Sequence, residues 1–244
     1  MRIRMTVAYD GSLFSGWQVQ PHARTVQEGL EDALTALFGH PVAVTGAGRT
    51  DTGVHASGQV VHFDIGSTPI PPEKIRLALA RHLPAGILVL DSCAAAEEFH
   101  ACFSARSRTY RYRFVFPPLY PWQVHYRGLF TLPYDRERCR KALQPLVGRH
   151  DFTSFSLKDS SARTRIRELR RIEVIDRTNG FDLLFEADGF LRRMIRMITG
   201  TLLEALAAPD PAAHMAAVLA ARDNARSGPP APPGGLYLER VDYP

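Results

Sequence analysis

Apolar and polar positions alternate with a period of two at the start of the chain. Ile3, Met5, Val7 and Tyr9 are separated by Arg4, Thr6 and Ala8, which predicts a strand over about residues 2 to 9. The period then changes. Thr25-Val-Gln-Glu28 forms a capping box, Leu30, Ala33, Leu34, Leu37 and Phe38 recur at helical spacing, and Gly39 stands where a C-terminal cap belongs. Strands follow at about 41 to 46 and 58 to 64, around a polar, glycine-rich loop, Gly46-Ala-Gly-Arg-Thr-Asp-Thr-Gly53. A helix after Pro71-Pro72 runs through Ile75, Leu79 and His82, and a strand at about 86 to 90 closes the order βαββαβ.

The order recurs from residue 106: a strand at 107 to 116, a helix at 135 to 147, strands near 166 to 176 and 181 to 188, helices at 190 to 207 and 211 to 222, and a strand at 236 to 242. On the helix at 190 to 207, Leu191, Met194, Ile195, Ile198 and Leu202 make an apolar stripe, with Arg192, Arg196 and Thr199 on another face. Phe116 to Pro121 and Gly228 to Pro233 are proline-rich and read as loops. The recurrence predicts an α/β (α+β) fold of two ferredoxin-like βαββαβ halves, residues 1–105 and 106–244. Joined edge to edge, they would make one mixed, mainly antiparallel sheet with helices on one face and a central cleft.

Charge sharpens this picture. Residues 1 to 105 carry 7 basic and 10 acidic side chains, residues 106 to 200 carry 20 and 10, and residues 201 to 244 carry 3 and 5. The net +5 of the chain is therefore concentrated in the early part of the second half. Of the 30 basic residues 27 are Arg, a side chain suited to planar, bidentate phosphate and base contacts. Arg106-Ser-Arg108-Thr-Tyr110-Arg111-Tyr112-Arg113 interleaves cations with aromatics as a nucleic-acid surface does, and it fits the wet face of an amphipathic strand equally well. No apolar run approaches the roughly 20 residues that cross a bilayer, and the N-terminus lacks a signal-peptide pattern. A cytoplasmic protein without membrane attachment is expected. Cys93, Cys102 and Cys139 form no CxxC pair and the histidines no HExxH, so neither a disulfide scaffold nor a built-in metal site is predicted.

Asp51 is the sharpest candidate for chemistry, because it places a carboxylate two residues from Arg49 on a glycine-rich loop between strands. The loop is neither GxGxxG nor GxxxxGK and no helix follows it, so it is no phosphate cradle. The single Asp-Thr-Gly triplet lacks the apolar strand and second carboxylate of an aspartic protease. An Asx-turn is the structural alternative.

Several pieces of the chain together resemble the tRNA pseudouridine synthase A family. They are Tyr9-Asp-Gly-Ser-Leu-Phe-Ser-Gly-Trp-Gln18, Ala47-Gly-Arg-Thr-Asp-Thr-Gly-Val-His55 with Gly58-Gln-Val-Val-His-Phe63, and Phe99-His-Ala-Cys-Phe-Ser104 running into Arg108-Thr-Tyr-Arg-Tyr112. To these add His150-Asp-Phe-Thr-Ser-Phe155, Phe190-Leu-Arg-Arg-Met-Ile-Arg196, Gly235-Leu-Tyr-Leu238 and Val241-Asp-Tyr-Pro244. Arg193 and Met197 depart from the family pattern, which has His and Asn there. The resemblance implies a cofactor-free isomerase that converts uridine to pseudouridine at positions 38 to 40 of the tRNA anticodon stem-loop, with RNA in the cleft and a homodimer as the working form. It implies Asp51 as nucleophile, Arg49 in the space the flipped base leaves, Tyr110 against the uracil and Arg196 paired with Asp51. Arg108 and Arg111 belong to the RNA-binding segment, and Leu236 and Leu238 are candidates for the apolar floor of the uracil pocket. A non-catalytic module of the RRM kind has the same element order, but its RNP1 string is missing.

Overall fold

The computed structural model describes residues 1–157 and 163–244. In chain order its principal elements are β1 (Arg2–Tyr9), α1 (Val26–Phe38), β2 (Thr45–Gly46), β3 (His55–Asp64), α2 (Ile75–Leu79), β4 (Ile87–Ala95), β5 (Ser107–Val115) and β6 (Gly128–Leu129). These continue with α3 (Arg136–Leu143), β7 (Gly148–Asp151), β8 (Ile166–Arg177), β9 (Gly180–Ala187), α4 (Met194–Ala205), α5 (Pro211–Ala221) and β10 (Leu236–Asp242). The described residues form two compact units, Met1–Arg106 with Tyr237–Pro244, and Ser107–Leu236. Both are α+β with mainly antiparallel strands, the class the pattern predicts.

In the first unit β1 lies between β3 and β4, antiparallel to both, with Arg2 opposite Asp64 and Ala95. The alternation written into β1 is what the sheet uses: Ile3, Met5, Val7 and Tyr9 are buried, while the intervening residues are half-buried. On the other side of β3, Tyr237 and Leu238 of β10 pair in parallel with His55 and Ala56. Helix α1 starts and stops where expected. The Thr25 hydroxyl accepts the Glu28 N–H at 3.3 Å, and Gly39 ends the helix at φ 75°, in the region where a Cβ is costly.

The strand expected over 41 to 46 shrinks to Thr45–Gly46. Val42 and Val44 are buried as the alternation requires, but helix side chains take the backbone groups that a ladder would use. The Val44 N–H donates to Glu31 Oε1 at 2.9 Å, and Gln27 Nε2 donates to the Val44 carbonyl at 3.1 Å.

The second unit orders its strands β5-β9-β8-β7, with β6 alongside β5. Its β8–β9 hairpin turns through Thr178 and Asn179. Tyr112, Phe114, Phe130, Phe181 and Phe185 are core residues, and α3 packs on β8 and α5. The helix expected from residue 190 begins at Met194, because Arg193 sits at φ 62° and cannot continue a right-handed turn. Thr199, expected on an open polar face with Arg196, is fully buried. The Pro-rich segment covers that face: a Cβ on Gly200 would stand 1.8 Å from the Pro229 carbonyl oxygen.

Candidate active site

The loop between β2 and β3 is held along its whole length by the residues around it. Ala47 donates its N–H to Val60 O at 2.8 Å, and the side-chain amide of buried Gln59 donates to Gly48 O at 2.7 Å. Thr50 accepts the Trp17 N–H on its carbonyl at 3.0 Å and shares a 2.8 Å hydroxyl contact with Tyr9. Asp51 opens a four-residue turn that the Val54 N–H closes onto its carbonyl at 3.1 Å, with Gly53 at φ 78° in the place where such turns demand glycine. The Asp51 carboxylate is half-buried, and Arg49 beside it is exposed.

Asp10 and Gly11 buttress the far end of this loop. Asp10 accepts from the backbone and hydroxyl of Ser12 at 3.0 and 2.6 Å, and Gly11 donates its N–H to Nδ1 of buried His55 at 3.1 Å. The His55 ring stacks on Tyr237, centroids 4.6 Å apart. Gly11 must be glycine, because a Cβ there would fall 2.0 Å from the Val54 carbonyl oxygen. Leu238 is fully buried in the core of the same unit.

Tyr110, Arg108, Arg111, Arg196 and Leu236 lie in the second unit. Tyr110 of β5 is buried, stands opposite Phe185 of β9 and meets Phe190 edge-on at 5.1 Å. Arg108 donates to the Asp188 carbonyl at 2.7 Å, and Arg111 pairs with buried Asp182 at 3.1 Å. Arg196, in the first turn of α4, donates through Nε to Ala231 O at 2.8 Å, and Ala231 returns its N–H to Arg196 O at 2.9 Å. That reciprocal pair fixes the guanidinium against the Pro-rich segment. Leu236 is buried at the start of β10.

Sequence reasoning missed the support of the Asp51 loop: Tyr9, Gly11, Gly16 and Trp17. All four lie in the first of the family-like motifs, so their presence was visible, but only folding shows that they touch Thr50 and Val54. Among the described residues no group of three or more His, Cys, Asp or Glu is placed to hold a metal, and no helix is long and apolar enough to cross a membrane.

The chain is similar to known proteins along most of its length. A family model described as tRNA pseudouridine synthase matches residues 5–104 and 142–244. The tRNA pseudouridine synthase A of Bacillus velezensis is 42% identical over 100% of this chain and 99% of its own length. That of Thiobacillus denitrificans is 42% identical over 100% of this chain and 94% of its own, and that of Agrobacterium fabrum 43% identical over 100% and 92%. With a family model matched across both units and full-length relatives above two-fifths identity, the chain belongs to the tRNA pseudouridine synthase family.

Proposed function

We propose that the protein isomerises uridine to pseudouridine at positions 38 to 40 of the tRNA anticodon stem-loop, with Asp51 as nucleophile. The observation that carries the reading is the Asp51 loop: a half-buried carboxylate on backbone pinned from Ala47 to Val54, in the segment that the family model matches. The reaction breaks the bond between N1 of uracil and C1′ of ribose and forms one between C5 and C1′. Attack of the carboxylate on C1′ frees the uracil, which rotates. C5 then displaces the carboxylate, its hydrogen leaves to solvent, and N1 takes a proton. Nothing is oxidised or reduced, so the step asks for a positioned carboxylate and exclusion of water rather than for a cofactor.

The remaining roles follow from place in the motifs. Arg49, exposed two residues before Asp51, is the side chain to fill the stack after the uridine leaves it, a departure that costs a few kcal/mol. Tyr110 is assigned to the uracil and Arg196 to the catalytic set. Arg108 and the basic stretch from 106 to 200, with 20 basic against 10 acidic residues, supply the attraction for phosphates. A homodimer acting in the cytoplasm belongs to the same reading, since an anticodon arm with its tRNA body is large beside 27.2 kDa.

The test is turnover. With tRNA transcript tritiated at C5 of uracil, the protein releases tritium, while Asp51→Asn and Asp51→Ala release none and retain tRNA on a filter nearly as well as the parent. Substantial pseudouridine formation by Asp51→Ala overturns the assignment.

A further inference from the structure

The reading of Asp51 as the reacting carboxylate raises the question of what fixes its position, since a half-buried side chain on an irregular loop has no regular element of its own to hold it. We infer that Thr50 is a positioning residue, clamped between the end of β1 and a strap formed by Gly16 and Trp17, and that this clamp aims Asp51. The inference rests on that reading of Asp51.

Three independent contacts meet on Thr50. Its hydroxyl lies 2.8 Å from the Tyr9 hydroxyl at the last residue of β1, and both residues are nearly out of solvent, at 8% and 4% exposure. Its carbonyl accepts the Trp17 N–H at 3.0 Å. Gly16, at φ 94°, lies so close to the loop that a Cβ would stand 3.0 Å from Thr50 O, 3.2 Å from Thr52 N and 3.3 Å from the Asp51 carbonyl carbon. Backbone is thus laid flush on backbone along residues 50 to 52.

The strap is itself tied to a rigid element. Gly16 O accepts the Val26 N–H at 3.2 Å and Trp17 O accepts the Gln27 N–H at 3.0 Å, so two of the unpaired amides in the first turn of α1 anchor it. The Trp17 indole covers Gly46 at the loop's other end, where a Cβ would come within 2.6 Å of the ring. One strap therefore transmits the position of α1 to the start of the catalytic loop and to residues 50 to 52, while Tyr9 fixes the residue before Asp51 to the sheet. A nucleophile that must reach C1′ in line tolerates little error, and a displacement of about 1 Å can cost about a hundredfold in rate.

The experiment compares Thr50→Val, which keeps shape and removes the hydroxyl, with Thr50→Ser, which keeps the hydroxyl, and with Tyr9→Phe. Thr50→Val is expected to lower kcat by roughly tenfold to a hundredfold with KM for tRNA nearly unchanged, and Thr50→Ser to recover most of that loss. Tyr9→Phe should match Thr50→Val, and the double variant should be no worse than Thr50→Val alone, because the two hydroxyls act as one unit. Circular dichroism establishes that each variant folds. Should Thr50→Val fail to fold, Thr50→Ser and Tyr9→Phe decide, with full kcat in Tyr9→Phe overturning the inference. Wild-type kcat in Thr50→Val, equal loss in Thr50→Val and Thr50→Ser, or a loss confined to KM also overturns it. Each of these outcomes beside an inactive Asp51→Ala leaves the reading of Asp51 standing, whereas an active Asp51→Ala removes that reading itself.

Discussion

Arg111 is drawn toward two roles that a single substitution separates. Its place among Arg108, Tyr110 and Arg113 suggests a phosphate contact, yet its guanidinium lies 3.1 Å from Asp182, a carboxylate only 4% exposed on neighbouring β9. Arg177 of β8 reaches the same Oδ2 at 2.7 Å from the other side, but is 51% exposed against 14% for Arg111. Asp182 Oδ1 has no hydrogen-bond partner among the described residues. Removing one partner of a buried ion pair typically costs about 3 to 5 kcal/mol, because the other charge is left desolvated. The half-exposed Arg177 offsets part of that, which leaves about 2 to 3 kcal/mol for Arg111→Met. For a chain of this size that is a fall in Tm of roughly 5 to 10 °C. Thermal unfolding by circular dichroism measures it. Replacing both residues, Arg111→Met with Asp182→Leu, should restore much of the loss, since no buried charge then lacks its partner. If Arg111→Met instead keeps its Tm, while tRNA affinity falls and its salt slope drops by about one, Arg111 serves RNA and the argument from Asp182 is wrong.

Two further outcomes are expected. Burial first, then the neighbouring His100 and Arg2, hold His62 below its ordinary value of 6.5 against the opposing pull of Asp64, and its Nδ1 accepts the Ala101 N–H at 3.2 Å. The unfolded chain therefore binds the proton more readily, and stability is lost as pH falls from about 6.5 through the folded value; His62→Asn, which keeps an acceptor there, should show a smaller difference in urea midpoint between pH 7.5 and pH 5. Gly11→Ala should cost about 1 to 3 kcal/mol and depress turnover together with it, because its Cβ displaces Val54 and with it the turn that begins at Asp51; a variant with normal Tm and kcat would refute the buttress.

What the chain discloses about its fold depends on whether the deciding interaction is local. The limits of α1 were legible because Thr25, Glu28 and Gly39 act within four residues of the helix ends. The strand pattern at Val42 and Val44 was correct about burial and wrong about pairing, since Gln27 and Glu31 reach across from α1 to occupy the backbone. The start of α4 was misplaced for a related reason. Apolar spacing runs smoothly through Leu191 and Met194, and only the left-handed Arg193 between them separates the approach from the helix. β7, four residues of Gly-Arg-His-Asp, has no alternation of apolar residues to betray it and exists through its pairing with β8.

The same division runs through the proposed site. A glycine-rich loop with an isolated carboxylate can be read from eight consecutive residues, but the identity of its supports cannot, because Tyr9 and Thr50 are separated by 41 positions and Gly11 and His55 by 44. Arginines are the hardest case, since one side chain serves equally as phosphate contact, buried counter-ion or backbone clamp, and composition does not distinguish them. Arg111 facing Asp182 and Arg196 holding Ala231 show two arginines of a basic segment already engaged in their own unit. Which role each arginine takes is set by the acceptor the fold brings to it, as the β5–β9 pairing brings Asp182 to Arg111 and the Pro-rich segment brings Ala231 to Arg196.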